Sequence, residues 1–421
     1  MTCQRSTCYL SIAVLIASVG SSIGDCDERI PRPLVFVDDP AVSATVEELK
    51  PDWNVSVNVN GERREIARSE YVLWGAYTDN DRSSQILLAD DTVLVGDIVR
   101  IEDTSVTIAS RLWGEVRLDR QLVRCCFISP PADPLARDRG WQSLRVREPA
   151  DRVLLLNRDS LVGKLLPTTE RNGGGLFGLV SLGIALSDTA PATQVPLEEI
   201  NAINFQASPE RESRSECLLG FHDGSLVASS MLTRDESGMT YITTAAGASL
   251  QLHTDELLKH LEFIQPRNET IDYLSDLPAL GYKYFPFLEL AWPLGISTNT
   301  LGGKLRSAGH VVFQGIGMHS TSRVAYDLDR RYRRFEAELA LDDHAQRQGS
   351  VVYRVLVERE NESGQPAWNL AFTSPIINGS GPPLAITLDV NDATHLALVV
   401  EAADRADTCD YANWLNARLV R

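Results

Sequence analysis

The sequence predicts an all-β protein, with a C-terminal jelly-roll β-sandwich preceded by about three small barrel- or roll-like β units. Three observations predict it. In residues 324–328, 335–341, 351–357, 385–390 and 395–400, apolar and polar positions alternate with period two, the pattern of half-buried strands. Upstream, an apolar strand, a polar turn and a second apolar strand recur three times, at spacings of 67 and 65 residues. No amphipathic helical pattern separates the C-terminal strands, so short turns must join them antiparallel.

The elements follow in chain order. Residues 1–24 combine Arg5, an apolar stretch from Tyr9 to Val19 and small residues up to Gly24, which reads as a signal peptide. The apolar run is too short to span a bilayer comfortably. The expectation is an exported protein, secreted, periplasmic or at the cell surface, with no membrane insertion once the signal is removed. Residues 25–52 hold Pro31, Pro33, Pro40 and Pro51, a density that suits an extended lead-in.

Three β units are expected at 53–131, 140–209 and 214–266. Their strand–turn–strand segments are 86–96, 153–163 and 218–228, and Asp223-Gly224 is the clearest hairpin turn among them. Each unit closes alike. Alternating residues at 116–118, 195–197 and 250–252 lead through a short amphipathic turn to Phe127, Phe205 and Phe263. The glycine-rich stretch 172–178 lacks the lysine and Ser/Thr of a phosphate-binding loop and reads as a hairpin loop. Six aromatics, Tyr273, Tyr282, Tyr284, Phe285, Phe287 and Trp292, then open the last domain, 271–421.

Net charge is −17 and the sequence pI about 4.9. Nucleic acid is excluded as a partner, because phosphate binding needs a basic footprint. After signal removal five cysteines remain, Cys26, Cys125, Cys126, Cys217 and Cys409, enough for one or two disulfides in an oxidising compartment. The adjacent Cys125–Cys126 has no second pair at zinc-like spacing, so it reads as a buried strand position beside an exposed one.

In the last domain the segments Leu301-Gly-Gly-Lys-Leu-Arg, Gly315-Ile-Gly-Met-His-Ser, Tyr326-Asp-Leu-Asp, Leu341-Asp-Asp and Asp410-Tyr-Ala-Asn-Trp-Leu-Asn-Ala-Arg-Leu occur in order. Together they resemble the NPCBM family, carbohydrate-binding modules found beside glycoside hydrolases. The resemblance covers about a third of the chain, from Tyr273 to Arg421, and implies a galactose-binding-like sandwich with a sugar-binding role. Three positions depart from the family pattern: Ala340 replaces a glycine, Glu358-Arg359 an Asp-Gly pair, and Asn413 an acidic residue.

Sugar binding needs aromatic faces for C–H stacking and planar polar groups for hydroxyl hydrogen bonds. The candidates are Trp292, Trp368, Tyr411 and Trp414 for the first, and His319, Asp342, Asp343 and Asp410 for the second. Core packing competes with stacking at Trp414, and a structural role competes with binding at His319. Asp342 and Asp343, joined by Asp410, have the oxygen chemistry for a structural Ca²⁺; no catalytic cofactor is expected. The sequence contains no His-Glu-x-x-His helix and no Gly-x-Ser-x-Gly elbow. The reading is an exported, non-catalytic protein whose C-terminal module binds a wall, matrix or polymeric glycan. The alternatives are a scaffold docking protein partners along the β repeats, and a glycoside hydrolase within them.

Overall fold

The computed structural model describes residues 29–79, 83–146, 149–168, 179–187, 189, 191–207, 214–286, 291–379, 381–404 and 406–421. The expected signal peptide, Cys26 and the stretch 172–178 lie outside them.

The repeat is a physical unit. In each copy an apolar hairpin is followed by two or three further strands and a short helical turn, and the closing strand returns to pair with the first. The three closures are equivalent: Cys126 faces Ile86, Ile203 faces Val153 and Ile264 faces Leu219. All six side chains are fully buried in one shared apolar core. The turns at Arg120–Leu122, Leu197–Glu199 and Thr254–His260 reverse the chain before each closing strand. Antiparallel edges then pair across units, Cys125 with Asn204, Val93 with Leu226 and Trp74 with Ile264. The described strands of this half thereby merge into one 18-stranded sheet beside a separate three-stranded one.

Two expectations change here. The proline-rich lead-in is two strands, Arg32–Phe36 and Val42–Leu49. With Val55–Val59, Glu62–Ile66 and Tyr71–Gly75 they make a further unit ahead of the repeats. Pro33 is tolerated because pairing with Tyr71–Gly75 begins only at Leu34, so its missing N–H faces no partner there. Cys125 and Cys126 are both buried, because their strand is paired on each side and packed on both faces. Gly75 marks a tight crossing: φ is +79°, and a methyl there would sit 1.8 Å from the Glu262 carbonyl oxygen.

The C-terminal third is an antiparallel β-sandwich. One sheet orders Gly295–Ile296, Gly315–His319, Tyr411–Val420, Arg334–Leu341 and Leu384–Asp389. The other orders Ala279–Tyr284, Ser322–Asp327, His395–Ala402, Ser350–Glu360 and Pro366–Thr373. Glu358 and Arg359 fall within a long strand rather than at a turn. Alternating inward residues such as Phe335, Leu339, Val355, Leu398 and Trp414 fill the space between the sheets.

The sandwich is fused to the repeats. Its hairpin Leu305–Ser307/His310–Val312 reaches across, and the Val311 N–H donates to the Tyr77 carbonyl at 2.9 Å. Phe313 packs on Tyr77 and Phe263 with ring centroids 5.3 and 5.5 Å away. Helix α1, Pro134–Leu144, meets the same junction. Asp133 caps its first turn, with the Ala136 N–H donating to Oδ2 at 2.8 Å. Arg137, Asp138, Trp141 and Leu144 form its buried side.

Candidate functional site

At one end of the sandwich the turn after Gly315–His319, the chain around Trp292 and the start of the last strand converge. Gly317 lets the loop at Thr298 and Asn299 pass close by, because a side chain there would meet the Thr298 carbonyl oxygen at 2.4 Å. The Trp292 ring lies flat on His319, with centroids 4.5 Å apart and planes 1° from parallel. Tyr411 meets Trp292 edge-on at 5.7 Å, and Tyr284 meets His319 edge-on at 6.0 Å. Trp292, Tyr284 and Tyr411 remain partly exposed.

His319 itself is buried. Its Nδ1 lies 2.7 Å from the Ser320 carbonyl oxygen; a carbonyl only accepts, so Nδ1 carries the proton. Burial lowers the pKa of the ring, partly offset by that hydrogen bond and by Asp407, which keeps the imidazole neutral near pH 7. His319 is therefore the platform under Trp292 rather than a group facing a ligand. Burial also raises the Tyr284 phenol, with Asp407 and Asp410 adding to it, so it stays a hydrogen-bond donor. Tyr411 is raised likewise, by burial and then by Cys409.

The carboxylates divide their work. Asp410 is fully buried and accepts from Ser320 Oγ at 2.5 Å and the Ser350 N–H at 2.8 Å. Burial pushes its pKa up to about 6 despite those bonds. Asp342 accepts from Asn299 Nδ2, the Arg306 and His344 N–H groups and Asn413 Nδ2, at 3.2, 3.1, 3.1 and 2.8 Å. Asn413 is thus the right partner: an acid in its place would set two carboxylates face to face. Asp343 accepts the Ala308 and Gly309 N–H groups, both at 2.9 Å.

The three acids expected to share a Ca²⁺ have other partners in this structure. Asp342, Asp343 and Asp410 point into separate hydrogen-bond sets. Among the described residues no group of three or more His, Cys, Asp or Glu side chains could hold a metal ion. Trp414 is also removed from the binding set. It is fully buried, edge-on to Tyr353 at 5.0 Å. Trp368 is exposed but distant, in the cross-strand row Trp368–Glu358–His395–Asp327. Tyr284 lies in the row with Ser322 and Val400, five residues further along, or about 17 Å at ~3.3 Å per residue.

Tyr411 has a second exposure. It closes a cleft of about 410 Å³ between the sandwich and α1, shared with Asp343, His344, Gly309, Asp133 and Arg139. Arg139 lies near enough to pull the Tyr411 phenol down against its other neighbours. Tyr284, Asp407 and Arg139 are the functional candidates missed from sequence. The crowding of aromatics around Tyr284 was a usable signal; α1 had only the Asp133-Pro134 capping pair.

Residues 272–420 match the NPCBM/NEW2 domain model, and the C-terminal third of the chain is such a domain. Over 119 residues the chain is 25% identical to the "Putative endo-alpha-N-acetylgalactosaminidase" of Renibacterium salmoninarum, covering 28% of this chain and 7% of that protein. The chain thus spans a small fraction of that relative's length. Among solved structures, the CBM51-2 and INT domains of Clostridium perfringens ZmpB align at TM-score 0.31 and 19% identity, over 44% of this chain and 36% of theirs. The CBM51 of the Clostridium perfringens GH95 enzyme, in complex with methyl-galactose, aligns at TM-score 0.30 and 19% identity, over 36% of this chain and all (100%) of that one.

Proposed function

We propose that this chain is an exported, non-catalytic protein that binds a glycan at the Trp292 end of its sandwich. The observation that carries the reading is the Trp292–His319 stack, edged by Tyr411 and Tyr284. A buried neutral ring holds the indole in one orientation, so little side-chain entropy remains to be lost when a sugar packs against it. The two phenols, kept protonated, supply donors and acceptors for hydroxyls around that surface. The family match over residues 272–420 supports the same ligand class.

The non-catalytic reading rests on how the acids are used. Glycoside hydrolysis calls for two carboxyl groups across the scissile bond, one of them a proton donor. In the cleft beside Tyr411, Asp133 caps α1 and Asp343 holds two backbone N–H groups. Export is supported by the sequence of residues 1–24 and agrees with a glycan ligand outside the cell. No helix among the described residues is long and apolar enough to cross a membrane.

The test is a glycan array probed with the full mature chain, wild type and Trp292→Ala, its panel including galactose-, N-acetylglucosamine- and N-acetylgalactosamine-terminated glycans. Binding by wild type that Trp292→Ala abolishes is the expected result. A folded wild-type protein that binds no glycan would overturn the proposal.

A further inference from the structure

The outward face of the second sheet, which begins one row along from Tyr284 and Ser322, is patterned in rows. Arg354, Val399, Arg323 and Lys283 stand in register on four neighbouring strands. The next row outward is Leu370, Leu356, Ala397, Ala325 and Gly281. On this face lies a trough of about 420 Å³, lined by Phe285, Arg323, Arg354, Leu356, Val399 and Leu370 together with Thr321, Ser322 and Glu401. Four strand spacings make the sheet about 19 Å wide, long enough for several sugar units rather than one.

Two features of the trough ask for a ligand. Phe285 and Leu370 are 43% and 54% exposed, apolar surface without a protein neighbour to cover it. Lys283 Nζ and the Arg323 guanidinium lie 4.7 and 5.7 Å from the Phe285 ring centroid, and neither has a carboxylate partner among the described residues. Arg354 pairs with Glu401 at 2.9 Å, yet its Nε is buried without a hydrogen-bond acceptor. Two cations, Arg323 and Arg354, line this groove against one carboxylate, Glu401, and Lys283 stands beside it over Phe285, in a protein whose net charge is −17. Neutral sugars would not need that concentration of positive charge.

We propose that this face is a second binding site, taking an acidic polysaccharide that bears carboxylate or sulfate groups. The anionic groups meet Arg323, Lys283 and Arg354, where guanidinium forks suit planar oxyanions. The C–H faces of the sugar rings rest on Phe285 and Leu370. The site uses side chains other than Trp292, His319 and Tyr411, so either reading can hold while the other fails.

The experiment titrates the full mature chain with dextran sulfate, polygalacturonate and neutral dextran, at low ionic strength and again at about 0.15 M salt. Expected is binding of at least one acidic polymer, weakened by salt, with none to dextran. The double variant Lys283→Ala/Arg323→Ala should lose about tenfold or more in affinity. Arg323→Lys, which keeps the charge, should retain most of the binding. Dextran sulfate alone would identify a sulfated ligand, and polygalacturonate alone a uronic one. The proposal is overturned if neither acidic polymer binds, or if the double variant, folded by circular dichroism, binds as wild type. Equal affinity for single-stranded DNA would also overturn it, since that would be charge attraction without sugar recognition.

Discussion

Replacing Arg306 by methionine tests how the two halves are held together. The guanidinium is almost wholly buried and clasps two acids from the repeat half. Nη1 and Nη2 donate to Asp79 at 2.7 and 2.8 Å; Nη2 and Nε donate to Asp138 at 2.9 and 3.2 Å. Lys304 and Arg137 also reach Asp79, at 3.1 and 3.2 Å. Burial alone would raise Asp79, but Lys304, Arg306 and Arg137 together hold it far below the usual carboxylate range. Arg306→Met keeps the aliphatic volume and removes four charge-assisted hydrogen bonds. Asp138 is left with the Lys304 N–H at 3.0 Å as a donor and no guanidinium.

Removing one partner from a buried ion network costs about 3–5 kcal/mol, mostly because the orphaned charge stays desolvated. Urea unfolding followed by tryptophan fluorescence would read it as a fall in midpoint. The triple variant Arg306→Met/Asp79→Asn/Asp138→Asn should recover part of that loss, since no buried carboxylate is then abandoned. A cost below about 1 kcal/mol for Arg306→Met would refute the reasoning, for it would mean that water or a small rearrangement replaces the clasp.

Four other outcomes follow from the same geometry. Asp410 has a folded pKa near 6, above its unfolded value. Its contribution is fully present below about pH 4 and lost as pH rises through 6; Asp410→Asn should flatten that part of the stability–pH curve. For Asp79 the sign reverses, so the clasp should persist above about pH 4 and weaken only in stronger acid, as melting temperatures at low pH would reveal. Native alkylation should label Cys409 well before Cys125, Cys126 or Cys217, because burial shields those three thiols and raises their pKa, that of Cys125 to about 12. Trp414→Ala should cost about 3–5 kcal/mol and yield an unstable protein, whereas Trp292→Ala should leave the unfolding midpoint nearly unchanged and affect only glycan binding.

Much of the architecture was legible because it is written in short-range patterns. Period-two alternation located the sandwich strands, and the recurrence at residues 86, 153 and 218 falls on three hairpins. A strand with one wet face must alternate, so its sequence carries the fold openly. The pattern failed where both faces are dry. Cys125–Cys126 and the almost wholly buried strand Tyr411–Val420 lie between two packed layers, so polarity there does not alternate with exposure. The proline-rich segment 31–51 was misread because local chain preference cannot reveal which N–H groups will lack a partner.

The site divides along the same line. Sequence by itself pointed to a ligand class through the family resemblance of its ordered motifs, and it nominated Trp292, His319 and Tyr411 by residue type. Only the tertiary structure decided their roles: His319 beneath Trp292, Trp414 in the core, Asp342 and Asp410 bound to their own loops, and Trp368 about 17 Å away along the sheet. The Arg306 clasp to Asp79 and Asp138 could not have been foreseen, since 227 and 168 residues separate the partners. Chemistry is carried by residue type and is local; orientation and burial arise from contacts between segments far apart in the chain, and those contacts exist only once it has folded.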